Sequence, residues 1–365
     1  MQLQRKIAGL VLMLGLLAYQ PAQASADDAQ AELKAGMAAA KDGKPEAAAP
    51  LFRKACQLGS AEGCYQIALQ LDFGDGQPKD EAAAAGFYRK ACDGGELRGC
   101  QNLAVDYELG IGVDRDYAKA AALYTQACDG KVAKGCTGLG YLNEVGRGVP
   151  KDAKAAVALY QRGCDAGDPA GCTSLGWLYD DGIGLSKDHK KAAQLYRQGC
   201  EGNDARGCYN LGIMHGEGDG VGKDIDESLT LYRKACKLNY ADACYTLATT
   251  YDFGKGVEKD ESEAAVFYRK GCDLDEAKSC FNLGWDYDNG VGVPRNAKMA
   301  FDLYLKACEA GDPKGCYSVG SAYERGVVVG ENKSKALTYY RKALTLDPSD
   351  EDRPKIERAI ERLKG

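Results

Sequence analysis

The segment Cys100-QNLAVDYELGIGVDRDYAKAAALYTQACDGKVAKG-Cys136 decides the fold. It runs from one cysteine to its counterpart 36 residues on, and the same spacing recurs along the chain. The cysteines are Cys56 and Cys64, Cys92 and Cys100, Cys128 and Cys136, Cys164 and Cys172, Cys200 and Cys208, Cys236 and Cys244, Cys272 and Cys280, and Cys308 and Cys316. Members of a pair are 8 apart and successive pairs 36 apart. A fixed period of this length is the mark of a repeat array. It overrides the two-domain expectation that 365 residues would otherwise raise.

Other columns keep the same register. Ten residues after the second cysteine every repeat has glycine, from Gly74 to Gly326. Twelve after, Gly recurs except at Val328; sixteen after come Asp80, Asp116, Asp152, Asp188, Asp224, Asp260, Asn296 and Asn332; twenty-four after, always Tyr. The first glycine reads as a helix stop, where the left-handed backbone costs least. The Asp/Asn column reads as a helix N-cap, accepting bonds from free backbone N–H groups. Behind the cap, Ala120, Leu123, Tyr124 and Ala127 recur at helical spacing. Each unit is therefore helix A, loop, helix B and a short turn, and the fold class is all-α. Gly or Ala stands four after the second cysteine, as at Ala68, Ala104, Gly140 and Gly320, where small residues let helices approach.

The N-terminus carries a different signal. Arg5 and Lys6 precede an apolar run from Ile7 to Tyr19, and Ala22-Gln23-Ala24 offers small residues for cleavage. Residues 1–24 read as a secretory signal peptide. The alternative, an uncleaved anchor, needs a longer apolar run to span a bilayer. No other segment reads as a membrane span. Net charge is −6, and removing Arg5 and Lys6 makes it more negative. That disfavours nucleic acid, which requires a basic stripe.

Export and an even cysteine count point to disulfides. Two regular schemes remain. One joins each C-x7-C pair, such as Cys56 to Cys64. The other joins Cys64 to Cys92 and onward, leaving Cys56 and Cys316 over. The first leaves no orphan and is favoured. Free buried thiols fit an export signal poorly, and no two cysteines have the close spacing of zinc ligands. Closing a nine-residue loop is worth about 2.6 kcal/mol on the chain-entropy estimate.

The units L-G-x-x-Y-x-x-G-x-G-V-x-x-D-x-x-K-A-A-x-L-Y-x-x-A-C over 56–344 resemble Sel1-like repeats, relatives of tetratricopeptide repeats. With the C-x7-C pairs they are similar to the Sel1-repeat cysteine-rich proteins of Helicobacter. The resemblance implies an α/α superhelical solenoid stapled by C-x7-C disulfides. The expected organisation is a signal peptide over 1–24 and a single solenoid over 25–365. Within it, 25–57 is a diverged N-terminal hairpin, 58–346 holds eight 36-residue repeats, and 347–365 is a C-terminal capping helix of the kind solenoids need.

The resemblance implies an interaction scaffold. The cysteine-rich branch is also associated with penicillin binding and β-lactamase activity. A serine β-lactamase requires Ser-x-x-Lys, and no serine here has Lys three residues on. Two histidines, His189 and His215, are too few for a metallo-β-lactamase. Gly171-Cys-Thr-Ser-Leu-Gly176 and Gly315-Cys-Tyr-Ser-Val-Gly320 carry one residue too many for Gly-x-Ser-x-Gly. Catalytic residues are therefore unassigned, and a β-lactamase label rests on resemblance alone. No cofactor or metal is expected. Gly218 to Lys223 imitates a phosphate loop but lacks the following Ser/Thr. Asp286-x-Asp288-x-Gly290 imitates a calcium loop without its closing Glu. An acidic column eight after the second cysteine (Asp72, Glu108, Glu144, Asp180, Asp252, Asp288, Glu324) reads as ion pairing or capping. His215 reads as a half-buried, hydrogen-bonded ring, and His189 as exposed.

Binding residues are sought on helix A, which lines the concave face of tetratricopeptide-like arrays. Positions two, five and nine after the second cysteine share one helical face. The residues singled out are Asn102, Tyr141, Trp177, Asn210, Ile213, Asn282 and Trp285. These columns vary, and both tryptophans fall in one of them. Amides beside aromatics suit an extended peptide; the alternative is packing between repeats. The expected partner is a protein or peptide, with a β-lactam or peptidoglycan-derived ligand as the lesser candidate, and the expected location is periplasmic or secreted.

Overall fold

A computed structural model describes residues 26–364. The expected leader, residues 1–24, lies outside them. Among the described residues the protein is entirely helical, with nineteen helices and no strand. They fall into two compact units, one up to Lys187 and one from Asp188.

The first unit holds α1 (26–41), α2 (Pro45–Gln57), α3 (Ala61–Phe73), α4 (Glu81–Asp93), α5 (Leu97–Leu109), α6 (Tyr117–Asp129), α7 (Ala133–Val145), α8 (Ala153–Asp165) and α9 (Pro169–Asp181). The second holds α10 (His189–Glu201), α11 (Ala205–Glu217), α12 (Ile225–Lys237), α13 (Ala241–Phe253), α14 (Glu261–Asp273), α15 (Ala277–Asn289), α16 (Ala297–Glu309), α17 (Pro313–Arg325), α18 (Lys333–Thr345) and α19 (Arg353–Lys364). From α3 to α18, odd-numbered helices are A and even-numbered ones B. Within each unit the A and B helices of a repeat pack against one another as solenoid hairpins.

Local chemistry sets the helix ends. Asp116 caps α6 by accepting from the Ala118 and Lys119 amides at 3.1 and 3.0 Å. The other seven members of its column cap their own B helices in the same way. Gly110 ends α5 at φ +76°, the left-handed conformation only glycine adopts cheaply. Two residues on, Gly112 has φ +63°, and a Cβ there would drive into the Glu81 backbone at the start of α4. The loop thus fixes each repeat against the previous B helix.

The tyrosine column forms the centre of each hairpin. Tyr88, Tyr160, Tyr196, Tyr268 and Tyr340 are fully buried. The small-residue column makes room for these rings: a Cβ on Gly140 would stand 2.8 Å from the Tyr160 ring. The phenol oxygens end on the acidic column. Tyr88 donates to Asp72 at 3.2 Å, Tyr124 to Glu108 at 2.7 Å, Tyr268 to Asp252 at 3.2 Å and Tyr340 to Glu324 at 2.6 Å. This corrects the ion-pair or capping reading of those acids, although Glu324 also pairs with Arg362 at 2.6 Å. A buried phenol needs a partner, and the rim of helix A is the nearest place to find one.

All sixteen cysteines are paired within C-x7-C. Each bridge ties the end of one helix to the start of the next, with Cα–Cα distances such as 4.5 Å for Cys56–Cys64 and 4.8 Å for Cys236–Cys244. Bridges of this kind are typical of proteins folded in oxidising compartments. Among the described residues no helix is long and apolar enough to cross a membrane. At the C-terminus Ile356, Ala359 and Ile360 of α19 cover Tyr340 and the last bridge.

Candidate functional site

The outward face of helix A carries the positions two, five and nine after the second cysteine. In the first unit Tyr141 and Trp177 are 36% and 37% exposed, and Asn102 is half-buried. In the second, Trp285 is 47% exposed, while Asn210, Ile213 and Asn282 are half-buried. Two of the amides stand beside phenols, Asn102 near Tyr65 and Tyr88, and Asn282 near Tyr245 and Tyr268.

The second unit has the deeper relief. A cavity of about 390 Å³ opens beside Trp285, bounded by Asp252 and Phe253 of α13, Lys259, Glu261 of α14, and Asn282 and Asp286 of α15. The Phe281 and Trp285 rings also line a second cavity of about 430 Å³, together with Tyr317, Asp352 and Lys355. A third of about 210 Å³ lies between Tyr317, Ser318 and Arg325. Trp285 is therefore a ridge between two hollows.

Asp286 was not among the expected binding residues. It is 3% exposed, in a column where other repeats place Leu142, Leu178 and Met214. Loss of hydration, then the nearby charges of Asp252 and Glu261, push its carboxyl up to about 7. Its counterpart 180 residues earlier, Asp106, is 5% exposed and is likewise pushed up to about 7, by burial and then by Asp72 and Glu81. The Oδ2 atom of Asp106 is buried without a hydrogen-bond partner. The signal for both residues is an acid in a column that elsewhere holds Leu142, Leu178, Met214 and Ala322, and it is diluted by the polar Gln70 and Thr250 of the same column.

Other motifs resolve structurally. Gly218 is the helix stop of α11, and Gly220 rests on the backbone of His189, so the phosphate-like loop is repeat register. Asp286 and Asp288 line different cavities, which removes the calcium-loop reading. Among the described residues no three His, Cys, Asp or Glu side chains converge to hold a metal ion. His215 is half-buried as expected, but both ring nitrogens are buried without a hydrogen-bond partner, contrary to the hydrogen-bonded reading. It occupies a slot that tyrosine fills elsewhere, and where Tyr107, Tyr251 and Tyr287 reach an arginine through the phenol oxygen, the shorter imidazole has no such partner. His189 is half-buried and engaged rather than simply exposed.

The Sel1 repeat family matches residues 61–96, 98–132, 133–168, 169–204, 205–240, 241–276, 277–312 and 313–348. A protective antigen of uropathogenic Escherichia coli with an SLR fold is 26% identical, over 89% of this chain and 78% of that one, with a TM-score of 0.58. A Sel1 repeat protein from Oxalobacter formigenes is 23% identical, over 81% of this chain and 87% of its own, with a TM-score of 0.59. Cysteine rich protein B of Helicobacter pylori is 35% identical, over 36% of this chain and 93% of its own, with a TM-score of 0.30. Among curated proteins none matches.

Proposed function

We propose, from the premise that the chain belongs to the Sel1 repeat family, that it is an exported scaffold binding a protein or peptide along the outward face of its A helices. Sel1 repeat proteins generally bind protein partners. The observation that carries the reading here is the exposure of Trp285 between two cavities, in a column where the core positions beside it are closed. A half-exposed indole flanked by hollows supports a role as a recognition anchor, because burying it on binding recovers a large apolar area. Tyr141 and Trp177 extend the same column in the first unit.

The eight disulfides support export to the periplasm or beyond, where such bridges persist. The test is affinity capture from envelope extract, using oxidised protein and a Trp177→Ala/Trp285→Ala variant with an unchanged helical spectrum. A partner held by the parent and lost by the variant supports the reading. Identical captures from both baits overturn it.

A further inference from the structure

We infer that the cavity beside Trp285 receives a cationic side chain, arginine or lysine, of an extended peptide partner, with Asp286 and Asp252 as its counter-ions. The inference rests on the partner-binding reading above and names the chemistry of one pocket in it.

The cavity is acidic beyond what the protein neutralises. Lys259 sits 2.6 Å from Glu261 and cancels that charge. Asp252 accepts only the neutral Tyr268 phenol at 3.2 Å. Asp286 lines the cavity while 3% exposed, and among the described residues no group donates a hydrogen bond to its carboxyl. The unpartnered Oδ2 of the equivalent Asp106 makes the same point in the first unit. A buried carboxyl without a donor is costly to keep in a core column. The residues at that position elsewhere, such as Leu142 and Leu178, show that the fold does not require it.

The shape selects among cations. No three carboxylates converge on a metal position among the described residues, so a compact metal ion is poorly served. An aromatic wall with acids behind it suits an organic cation, which gains from both ring face and carboxylate. Phe253 already carries Lys255 over its ring at 5.3 Å, whereas no cation lies over Trp285 among the described residues. The larger cavity lies on the other side of Trp285, which leaves room for the peptide beyond the residue inserted.

The groups facing Asp286 are Asp252 from α13, Glu261 from α14 with Lys259 before it, and Tyr304 from α16. Most are acidic or neutral, and the one lysine is spent on Glu261. An entering cation therefore favours ionisation of Asp286, and binding releases a proton. Affinity rises with pH through about 7, the point to which its carboxyl is raised, and levels above it.

The experiment uses the oxidised full chain carrying Trp177→Phe, so that Trp285 is the only indole. Its fluorescence is titrated with acetyl-Ala-Arg-Ala-amide, the lysine and citrulline analogues, and agmatine. The arginine or lysine peptide should bind at least tenfold more tightly than the uncharged citrulline peptide. Its affinity should fall by about 30-fold between pH 8 and pH 5.5, following the ionised fraction of one group. Asp286→Asn and Asp286→Leu should each lose most of that affinity and its pH dependence, while thermal melts show both folded. Equal binding of the citrulline peptide, or arginine affinity unchanged in Asp286→Leu, overturns the pocket while leaving partner capture standing. Agmatine binding as tightly as the peptide overturns the peptide assignment. Loss of the partner interaction itself would instead appear as tryptophan-independent capture.

Discussion

Replacing Asp286 with leucine should stabilise the second unit and remove part of its pH dependence. The carboxyl moves from an ordinary value of 3.8 to about 7 on folding. At 1.36 kcal/mol per unit, that shift corresponds to at most about 4 kcal/mol of lost stability above pH 7. The sign follows from proton binding. Between about pH 4 and 7 the folded chain holds this proton and the unfolded chain does not, so stability falls as pH rises. The contribution is intact below the unfolded value and lost above the folded one. Going from pH 8 to pH 5 should therefore recover about 2–3 kcal/mol in the parent. Leucine abolishes this linkage and adds about 1–3 kcal/mol of apolar burial. The site accepts it, since Leu142 and Leu178 are fully buried at the same register and a cavity adjoins Asp286. The assay is urea unfolding under non-reducing conditions at pH 5 and pH 8, read from Trp285 fluorescence in a Trp177→Phe background. A local probe is required because repeat arrays need not unfold as one unit. The variant should show a higher midpoint than its parent at pH 8 and a much smaller difference between the two pH values. A lower midpoint at pH 8, or an unaltered pH dependence, would refute the reasoning.

Two glycines on buried and open sites should respond in opposite directions to alanine. Gly140→Ala pushes a methyl against the Tyr160 ring at 2.8 Å and should cost about 1–3 kcal/mol, whereas Gly86→Ala, in mid-helix with nothing within 4 Å, should gain about 0.5–1 kcal/mol in the same thermal melts. Removing the Cys128–Cys136 bridge, the third of the eight, by a double Ala substitution should cost about 2–3 kcal/mol. Differential scanning calorimetry checks this, and a melting temperature indistinguishable from the parent would show that the bridge is redundant.

Much of the fold was legible in single residues because the period multiplies every signal. Asp116 as a cap and Gly110 as a stop are local decisions of a few backbone groups, and eight copies in register leave little freedom. The cysteine pairing was legible for the same reason, since a bridge eight residues apart depends on one turn between two helices. The acidic column was misjudged because its partner, the Tyr phenol, lies 16 residues away on another helix. Proximity of that kind is set by packing rather than by local preference.

The candidate site divides along the same line. The sequence placed Trp285 and Asn282 on one helical face, a matter of 3.6-residue periodicity. It did not reveal that Asn282 stands beside the Tyr245 and Tyr268 phenols, or that Trp285 separates two cavities. Above all, Asp106 and Asp286 look like ordinary polar residues when read along the chain. Only the tertiary structure removes their water, sets further carboxylates beside them, and raises both to about 7. Helix ends and disulfide register are determined by neighbours in sequence. The hydration and electrostatic field of a buried carboxyl are determined by neighbours in space, which the linear order of residues does not contain.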